Sequence, residues 1–225
     1  MKVLAVNGSP RKNGNVMKLL SAAMDGAREA GAEVELVNLY DLTYKGCVSC
    51  FACKRLPAPA SCCAQRDELT PVLWKAYRAD VLLIGSPVYF AGLSASLRGF
   101  LERLLYKYPH EKGASTYKPT GIFYSMNATA EQAERLNYRT IFWSIEDFLT
   151  RNFQKVERVI AYDTYQFQDY SMYNMPVDLE RKTNQKELQF PQDLAGAKAL
   201  GRQLTESAIA VRQREEKVYV DCKKN

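Results

Sequence analysis

Five of the six cysteines of this chain lie between residues 47 and 63, and the first three form a CxxCxxC pattern. Thiolates at this spacing can ligate a 4Fe-4S cluster when a fourth thiolate lies nearby. Zinc is a second candidate, although structural zinc sites usually contain two separated CxxC pairs. Free or redox-active thiols on a loop are the third alternative. The candidate metal ligands are Cys47, Cys50, Cys53 and Cys63, with Cys62 as the alternative fourth ligand.

The octapeptide GSPRKNGN, residues 8–15, joins a short apolar run to the start of a helical pattern. Backbone N–H groups and the positive end of a helix suit a phosphate monoester, and Ser9, Arg11 and Asn15 can add side-chain donors. The loop is neither GxGxxG nor GxxxxGK[ST], so the dinucleotide fingerprint and the nucleotide P-loop are both absent. A turn that merely caps the helix is the alternative. We favour a phosphate site, because a turn requires neither the arginine nor this density of donors.

A second segment, SPVYFAG at residues 86–92, predicts a different kind of contact. Pro87 stiffens the chain, and Gly92 allows a close approach of the backbone. Tyr89 and Phe90 supply a flat apolar surface that would suit a planar heteroaromatic ring. The alternative is that the two rings pack into the core, as aromatic side chains often do.

The elements that must position these segments alternate between strand and helix five times along the chain. This alternation predicts a three-layer, doubly wound α/β domain with a five-stranded parallel sheet. Ligands in such folds bind beyond the carboxyl ends of the strands, where both segments and a third loop, SMNAT, are expected. The predicted strands cover residues 2–7, 33–38, 81–85, 120–125 and 155–162, and the predicted helices cover residues 15–30, 67–79, 93–108, 130–152 and 192–214.

Two stretches interrupt this alternation. Residues 39–66 form a cysteine-rich loop, and residues 163–191 form an insertion that carries several aromatic side chains. Those side chains would either form a lid over a planar substrate or pack the insertion onto the body or a partner subunit, and we favour packing. We find no domain boundary, so residues 1–225 are predicted to form a single domain.

The composition excludes several classes of protein. The 225 residues are 47% hydrophobic and 25% charged, and no apolar stretch approaches the roughly 18 residues of a membrane span. The first apolar run is too short for a secretory signal, so we expect a soluble, cytoplasmic protein with no membrane partner. The basic residues behind the formal charge of +6 are scattered, which argues against nucleic acid as a partner. A single histidine and the lack of a carboxylate pair disfavour a hydrolase.

GSPRKNGN followed by GSPVYFAG resembles the flavodoxin-like NAD(P)H-dependent FMN reductases, which include the iron–sulfur flavoproteins. The resemblance is specific over about residues 1–110, and SMNA is similar to the third flavin loop of that family. It implies a flavodoxin-like sheet with strand order 2-1-3-4-5. It also implies FMN as cofactor, NAD(P)H as co-substrate, and a homodimer or homotetramer.

The resemblance assigns residues to the flavin as well. Val16 stands where the family often has Thr or Ser, so only its backbone N–H could serve. The cysteines match the iron–sulfur flavoproteins loosely, because the fourth cysteine of that motif lies closer to the third. No catalytic side chain is expected, since the flavin supplies the chemistry. The expected FMN-binding residues are Ser9, Arg11, Asn13, Gly14, Asn15, Val16, Pro87, Val88, Tyr89, Phe90, Gly92, Ser125, Met126 and Asn127.

The function predicted on this basis is transfer of hydride from NAD(P)H through FMN to a small-molecule electron acceptor: a quinone, a nitro or azo compound, or a second flavin. The alternative is an iron–sulfur flavoprotein that carries electrons to protein partners. Flavodoxin carriers are typically acidic, so the formal charge of +6 argues against that role. A third alternative is a metal-binding or redox-sensing module in which the cysteines are the function.

Overall fold

The computed structural model of the chain describes residues 1–55, 63–106, 117–174 and 176–222. The strands in these ranges are β1 (Lys2–Asn7), β2 (Glu33–Asn38), β3 (Val81–Tyr89), β4 (Gly92–Leu93), β5 (Thr120–Ser125) and β6 (Val156–Ala161). The α-helices are α1 (Asn15–Glu29), α2 (Leu69–Arg78), α3 (Ala95–Leu105), α4 (Ala130–Arg135), α5 (Tyr138–Phe153), α6 (Leu179–Asn184) and α7 (Phe190–Cys222). No helix in these ranges is both long and apolar enough to cross a membrane.

Five of the strands form one parallel sheet in the order β2-β1-β3-β5-β6. Within this sheet Val3 of β1 lies opposite Val34 of β2 on one side and Val81 of β3 on the other. Counting parallel strands alone, this is the predicted order 2-1-3-4-5, so the flavodoxin-like doubly wound fold is confirmed. All five carboxyl ends therefore meet at one edge of the sheet, where the predicted ligand loops follow β1, β3 and β5.

The side chains of the sheet alternate between two apolar layers. Val3 and Ala5 of β1 pack in a cluster with α1 and α7. Leu4 and Val6 point to the opposite face and pack in a cluster with α2, α3 and α5. This period of two is expected for a strand that is buried on both faces, and it produces the three layers.

Helices α1 and α7 pack at very short range on the first face. A Cβ atom on Gly26 of α1 would lie 1.9 Å from the carbonyl oxygen of Lys198. A Cβ atom on Gly201 of α7 would lie 2.0 Å from the carbonyl oxygen of Ala23. Glycine at both positions therefore lets the two backbones approach to a distance that no other residue permits.

Three predicted element bounds are corrected by the structure. The third strand does not end at residue 85 but continues to Tyr89, because its last residues pair with β4 in an antiparallel hairpin. The helix predicted over residues 130–152 is two helices, separated at Asn137, which adopts a left-handed backbone (φ 54°). Asparagine tolerates this conformation better than most residues, so the chain can turn there.

The last helix begins earlier than residue 192. A π-helical segment, Gln185–Gln189, joins α6 to α7, so one continuous helix runs from Leu179 to Cys222. The second part of the predicted insertion is therefore helical. The side chain of Gln185 donates to the carbonyl oxygen of Tyr162 (2.9 Å), which ties the π segment to the residue after β6.

Candidate functional site

The loop after β1 is closed by its own hydrogen bonds. The backbone N–H of Ser9 donates to Asn7 Oδ1 (3.0 Å), and the N–H of Arg11 donates to Ser9 Oγ (3.1 Å). Gly14 precedes α1 as its N-cap, so no side chain at that position caps the helix, and the first turn holds no acidic residue. The first N–H groups of α1 can therefore bind an anion.

A buried serine joins this loop to the β3–β4 hairpin. Ser94 Oγ donates to the carbonyl oxygen of Gly8 (2.6 Å), and the Ser94 N–H donates to Ser86 Oγ (3.1 Å). The N–H of Gly8 donates in turn to the carbonyl oxygen of Gly85 (2.8 Å). The predicted phosphate loop and the predicted ring-binding segment are thus parts of one hydrogen-bonded unit. Sequence reasoning missed Ser94, although a serine just before a helical pattern is a typical N-cap.

The tip of the hairpin places aromatic side chains in solvent. Tyr89 pairs with Gly92, and the two residues between them, Phe90 and Ala91, have left-handed backbones (φ 47° and 63°). Two-residue hairpins require positive φ in this way and usually contain Asn and Gly. Phe90 is fully exposed and Tyr89 is 45% exposed, so neither ring packs into the core. Pro87 and Val88 lie below them, partly buried, in β3.

Electrostatic coupling also links the two loops. Partial burial raises the pKa of the Tyr89 phenol, and the neighbouring Tyr40 adds to this shift. The guanidinium of Arg11 opposes it, because a positive charge favours the phenolate. The charge of Arg11, in the loop after β1, therefore acts on the ring hydroxyl of Tyr89 in the hairpin.

The loop after β5 is held by the segment that follows β6. Thr164 Oγ1 lies 3.2 Å from Ser125 Oγ and donates to the carbonyl oxygen of Met126 (3.1 Å). Ser125 and the Met126 side chain are buried, whereas Asn127 is exposed. Among these three predicted flavin contacts, Asn127 is the residue whose side chain reaches the surface.

The same segment covers the phosphate loop. Asn15 Nδ2 donates to the carbonyl oxygen of Tyr165 (2.8 Å), and Arg11 Nη1 donates to that of Gln166 (3.0 Å). The guanidinium of Arg11 also lies 5.5 Å from the centre of the Phe167 ring. Each of these donor groups keeps further N–H hydrogens, so both side chains can still bind a phosphate. The Val16 side chain is buried in the core, which leaves only its backbone N–H for a ligand.

A cavity of about 500 Å³ lies between the phosphate loop and this segment. Asn13 and Gly14 line it on the side of the loop. Lys18 and Lys186 also line it, and neither belongs to a motif: Lys18 lies in the first predicted helix and Lys186 in the predicted insertion. Positive charge therefore surrounds the cavity, as an anionic ligand would require.

The aromatic side chains of the insertion pack on one another. Phe167 stacks on Tyr173 (ring centres 3.9 Å apart), and Tyr165 meets Tyr170 edge to face (4.9 Å). The Tyr170 hydroxyl accepts a hydrogen bond from the N–H of Gln166 (2.8 Å). Phe167 brings this cluster into contact with the guanidinium of Arg11. The insertion therefore packs against the rest of the domain beside the phosphate loop.

The cysteine loop lies beside α3. The N–H of Cys47 donates to Glu102 Oε2 (3.2 Å), and the N–H of Ser49 donates to Cys47 Sγ (3.4 Å). Burial raises the pKa of the Cys53 thiol, Lys54 opposes the shift, and Cys63 and Cys47 add to it. Cys47, Cys53 and Cys63 are partly buried, whereas Cys50 is exposed.

The described part of the chain contains no group of three or more His, Cys, Asp or Glu side chains arranged to hold a metal ion. Cys62, the alternative fourth ligand, lies outside the described residues. The thiols are chemically suited to iron or zinc, but their present arrangement is not a metal site, so the four-cysteine assignment stays a prediction.

A buried arginine adjoins the cysteine loop. Arg103 Nη1 lies 2.5 Å from Asp67 Oδ2 and donates to the carbonyl oxygen of Lys45 (3.2 Å). Burial lowers the pKa of this guanidinium, but its interactions with Asp67 and Cys63 more than offset that effect. No motif marks Arg103, which lies inside a helical pattern, as a neighbour of a cysteine.

Residues 1–149 match the family model described as NADPH-dependent FMN reductase. An iron–sulfur flavoprotein from Methanocaldococcus jannaschii is 37% identical over 103 residues, which cover 46% of this chain and 51% of that protein. An iron–sulfur flavoprotein from Archaeoglobus fulgidus is 35% identical over 103 residues, 46% of this chain and 48% of that protein. The chain thus spans about half the length of the curated relatives it matches.

Solved structures share the fold over most of the chain. An NAD(P)H:quinone oxidoreductase from Methanothermobacter marburgensis superposes with a TM-score of 0.64 at 19% identity, covering 91% of this chain and 96% of that one. An azoreductase from Bacillus anthracis superposes with a TM-score of 0.60 at 16% identity, covering 90% of this chain and 99% of that one. At these identities the likeness establishes a common architecture.

Proposed function

Because the chain belongs to the NADPH-dependent FMN reductase family, we propose that it binds FMN at the carboxyl edge of its sheet and uses NAD(P)H to reduce a small molecule. The acceptor is a quinone, a nitro or azo compound, or a second flavin. The observation that carries this proposal is the hydrogen-bonded unit formed by Gly8, Ser86 and Ser94, which holds a phosphate loop and an aromatic hairpin side by side.

The residues at this edge fit the two ends of FMN. The uncapped start of α1, with Ser9, Arg11 and Asn15, suits a phosphate monoester. The exposed rings of Tyr89 and Phe90 suit a flat heteroaromatic system. When bound, FMN supplies the hydride chemistry, and the protein supplies its position and electrostatic environment.

The roles of this chain's own groups follow from that arrangement. Arg11 and the α1 N-terminus would neutralise the phosphate, and the hairpin would orient the ring and shield one of its faces from water. Backbone N–H groups of the hairpin and Asn127 would donate to the edge of the ring that gains negative charge on reduction. These assignments require no catalytic side chain.

Two further features belong to this proposal. We propose a homodimer or homotetramer, as the family resemblance implies, and the fully exposed Phe90 is a candidate contact between copies of the chain. Free thiols, such as those of the described cysteines, are usual in the reducing cytoplasm, which supports the predicted location.

The test is an absorbance spectrum of freshly purified protein, recorded anaerobically, followed by NAD(P)H oxidation assays with a quinone. We expect the spectrum of oxidised flavin and steady turnover. Removing the flavin should abolish activity, and adding FMN should restore it. Turnover by the flavin-free protein, or failure to bind FMN, would refute the proposed function.

A second function is favoured by two observations: Cys47, Cys53 and Cys63 lie partly buried on one loop, and relatives at 35–37% identity are named iron–sulfur flavoproteins. In this alternative the protein carries single electrons to protein partners through FMN and a cluster. Iron, zinc and acid-labile sulfide analysis distinguishes it from a protein that binds FMN alone. The same analysis tests whether the cysteines instead form a metal-binding or redox-sensing module.

A further inference from the structure

A buried lysine of the insertion contacts the loop after β5. Lys182, on α6, is only 2% exposed. Its ammonium group lies 2.6 Å from Asp163 Oδ1 and donates to Asn127 Oδ1 (2.8 Å). The carbonyl oxygens of Thr164 (3.2 Å) and Asn127 (3.4 Å) complete its surroundings. All the partners in this set are hydrogen-bond acceptors.

This contact fixes the orientation of the Asn127 amide. An ammonium group can only donate hydrogen bonds, so the amide oxygen must face Lys182 and the amide nitrogen must point away from it. In the part of the chain that the structure describes, no acceptor takes the Nδ2 hydrogens. Asn127 thus presents two donors to the solvent-facing side of its loop.

The lysine is held in place by charge as well as by geometry. Asp163 also pairs with Arg181, whose Nε lies 2.8 Å from Oδ2. The backbone of Asp163 is left-handed (φ 50°), and its N–H donates to the carbonyl oxygen of Ala128 (2.8 Å). A charged lysine is rarely buried without a partner, and here an equally buried carboxylate supplies one.

We propose that Lys182 is a positioning residue which holds Asn127 as a hydrogen-bond donor toward the pyrimidine edge of bound FMN. This inference rests on the proposed function and identifies a residue of the insertion on which flavin affinity depends. The flavin ring offers carbonyl oxygens at that edge, which accept hydrogen bonds and gain negative charge on reduction. A donor there stabilises the bound ring and most of all its reduced form.

A second buried lysine provides a matched control. Lys118 is 7% exposed and donates to the carbonyl oxygens of Ala79 and Tyr77, but it precedes β5 and lies at the opposite edge of the sheet. Lys118→Met removes the same group from a comparable environment far from the predicted flavin loops. It should alter stability without altering FMN affinity.

The experiment is a double-mutant cycle on FMN affinity, measured by quenching of flavin fluorescence, with urea denaturation of the flavin-free proteins as the check on folding. Lys182→Met should raise the dissociation constant about tenfold in the wild-type background, since a donor held by a charged hydrogen bond is released. In the Asn127→Ala background it should change the constant by less than about twofold, because the group through which it acts is gone. The midpoint potential of bound FMN should fall in Lys182→Met and stay unchanged in Lys118→Met.

Equal losses of affinity in the two backgrounds, or no loss in either, would overturn the inference. If Lys182→Met does not fold, Asn127→Asp tests the inference instead. This variant keeps a partner for Lys182 but replaces the outward donor with a carboxylate oxygen. We expect a loss of at least about tenfold in FMN affinity with undiminished stability, and unchanged affinity would contradict us. Wild-type protein that binds no FMN would refute the proposed function itself, whereas normal FMN binding with an additive cycle would refute only the role of Lys182.

Discussion

Ser94 Oγ donates a hydrogen bond to the carbonyl oxygen of Gly8 across 86 positions of sequence, at 2.6 Å and out of contact with solvent. The same serine is the N-cap of α3 and accepts a hydrogen bond from the N–H of Leu97 (3.4 Å). One hydroxyl group therefore caps a helix and links the two loops that are proposed to bind the flavin.

Ser94→Ala should lower the free energy of unfolding by about 1–3 kcal/mol, because it removes a cap and leaves a buried carbonyl without its donor. FMN affinity should fall too, since the loops lose their common anchor. Urea denaturation and flavin titration measure the two effects. Ser171→Ala, at an exposed hydroxyl bound to Asp169, is the control and should change stability by less than about 0.5 kcal/mol.

Arg11→Ala should weaken FMN binding about tenfold or more while leaving riboflavin binding nearly unchanged, because the guanidinium acts on the phosphate that riboflavin lacks. Lys12→Ala is the matched control, since Lys12 pairs with Asp41 on the surface (2.8 Å). Paired fluorescence titrations with the two flavins make the comparison. Equal weakening of both flavins by Arg11→Ala would show that the arginine serves only to hold Gln166.

Ala91→Gly should raise the free energy of unfolding by about 0.5–1 kcal/mol, because alanine is strained at φ 63° and glycine is not. Ala199→Gly, at an exposed position inside α7, should lower it by about 1 kcal/mol. Urea denaturation of both variants tests the contrast. Two effects of the same sign would mean that the hairpin tip is not left-handed in solution.

Gly201→Ala should lower the free energy of unfolding by more than about 2 kcal/mol, since the added methyl group would collide with the backbone of α1. A Cβ atom on Gly196, in the same helix, meets no atom within 4 Å. Gly196→Ala should therefore be neutral or stabilise the protein by up to about 1 kcal/mol. Thermal or urea unfolding of the pair separates close packing from helix propensity.

Stability should depend on pH through Lys118. Burial lowers the pKa of its ammonium group to about 8, while the Asp80 charge opposes the shift. The unfolded chain binds this proton more tightly than the folded chain does, so the free energy of unfolding should rise with pH between about 8 and 10, by roughly 2 kcal/mol. Lys118→Met should abolish that rise. An identical pH profile in wild type and variant would show that Lys118 keeps its ordinary pKa in the folded protein.

Local sequence patterns predict the parallel sheet of this molecule and the helices that flank it well. The apolar runs of β1 and β3 and the helical stripe of α1 identify the parallel sheet, and the fold then dictates that the loops after β1, β3 and β5 meet at one edge. The order of the parallel strands was predictable because two motifs, GSPRKNGN and GSPVYFAG, resemble a family with the flavodoxin-like strand order.

The parts that were not predictable depend on contacts between distant residues. The hairpin turn of Phe90 and Ala91 lacks the Asn-Gly signature, so nothing in the sequence marks it. Lys182 reaches Asn127 across 55 positions, and Arg103 reaches Asp67 across 36. Buried charged groups of this kind look like ordinary surface residues until the fold brings their partners together.

The π segment Gln185–Gln189 has a consequence for the angular arrangement of the long carboxyl-terminal helix. A π turn behaves as a one-residue insertion, which offsets the two flanking stretches by about 100° around the helix axis. Lys182, on one side of it, can therefore face the loop after β5 while Gly201, on the other, faces α1. In a single uninterrupted α-helix of this sequence, only one of these two residues could face its partner, and the other would point away from it.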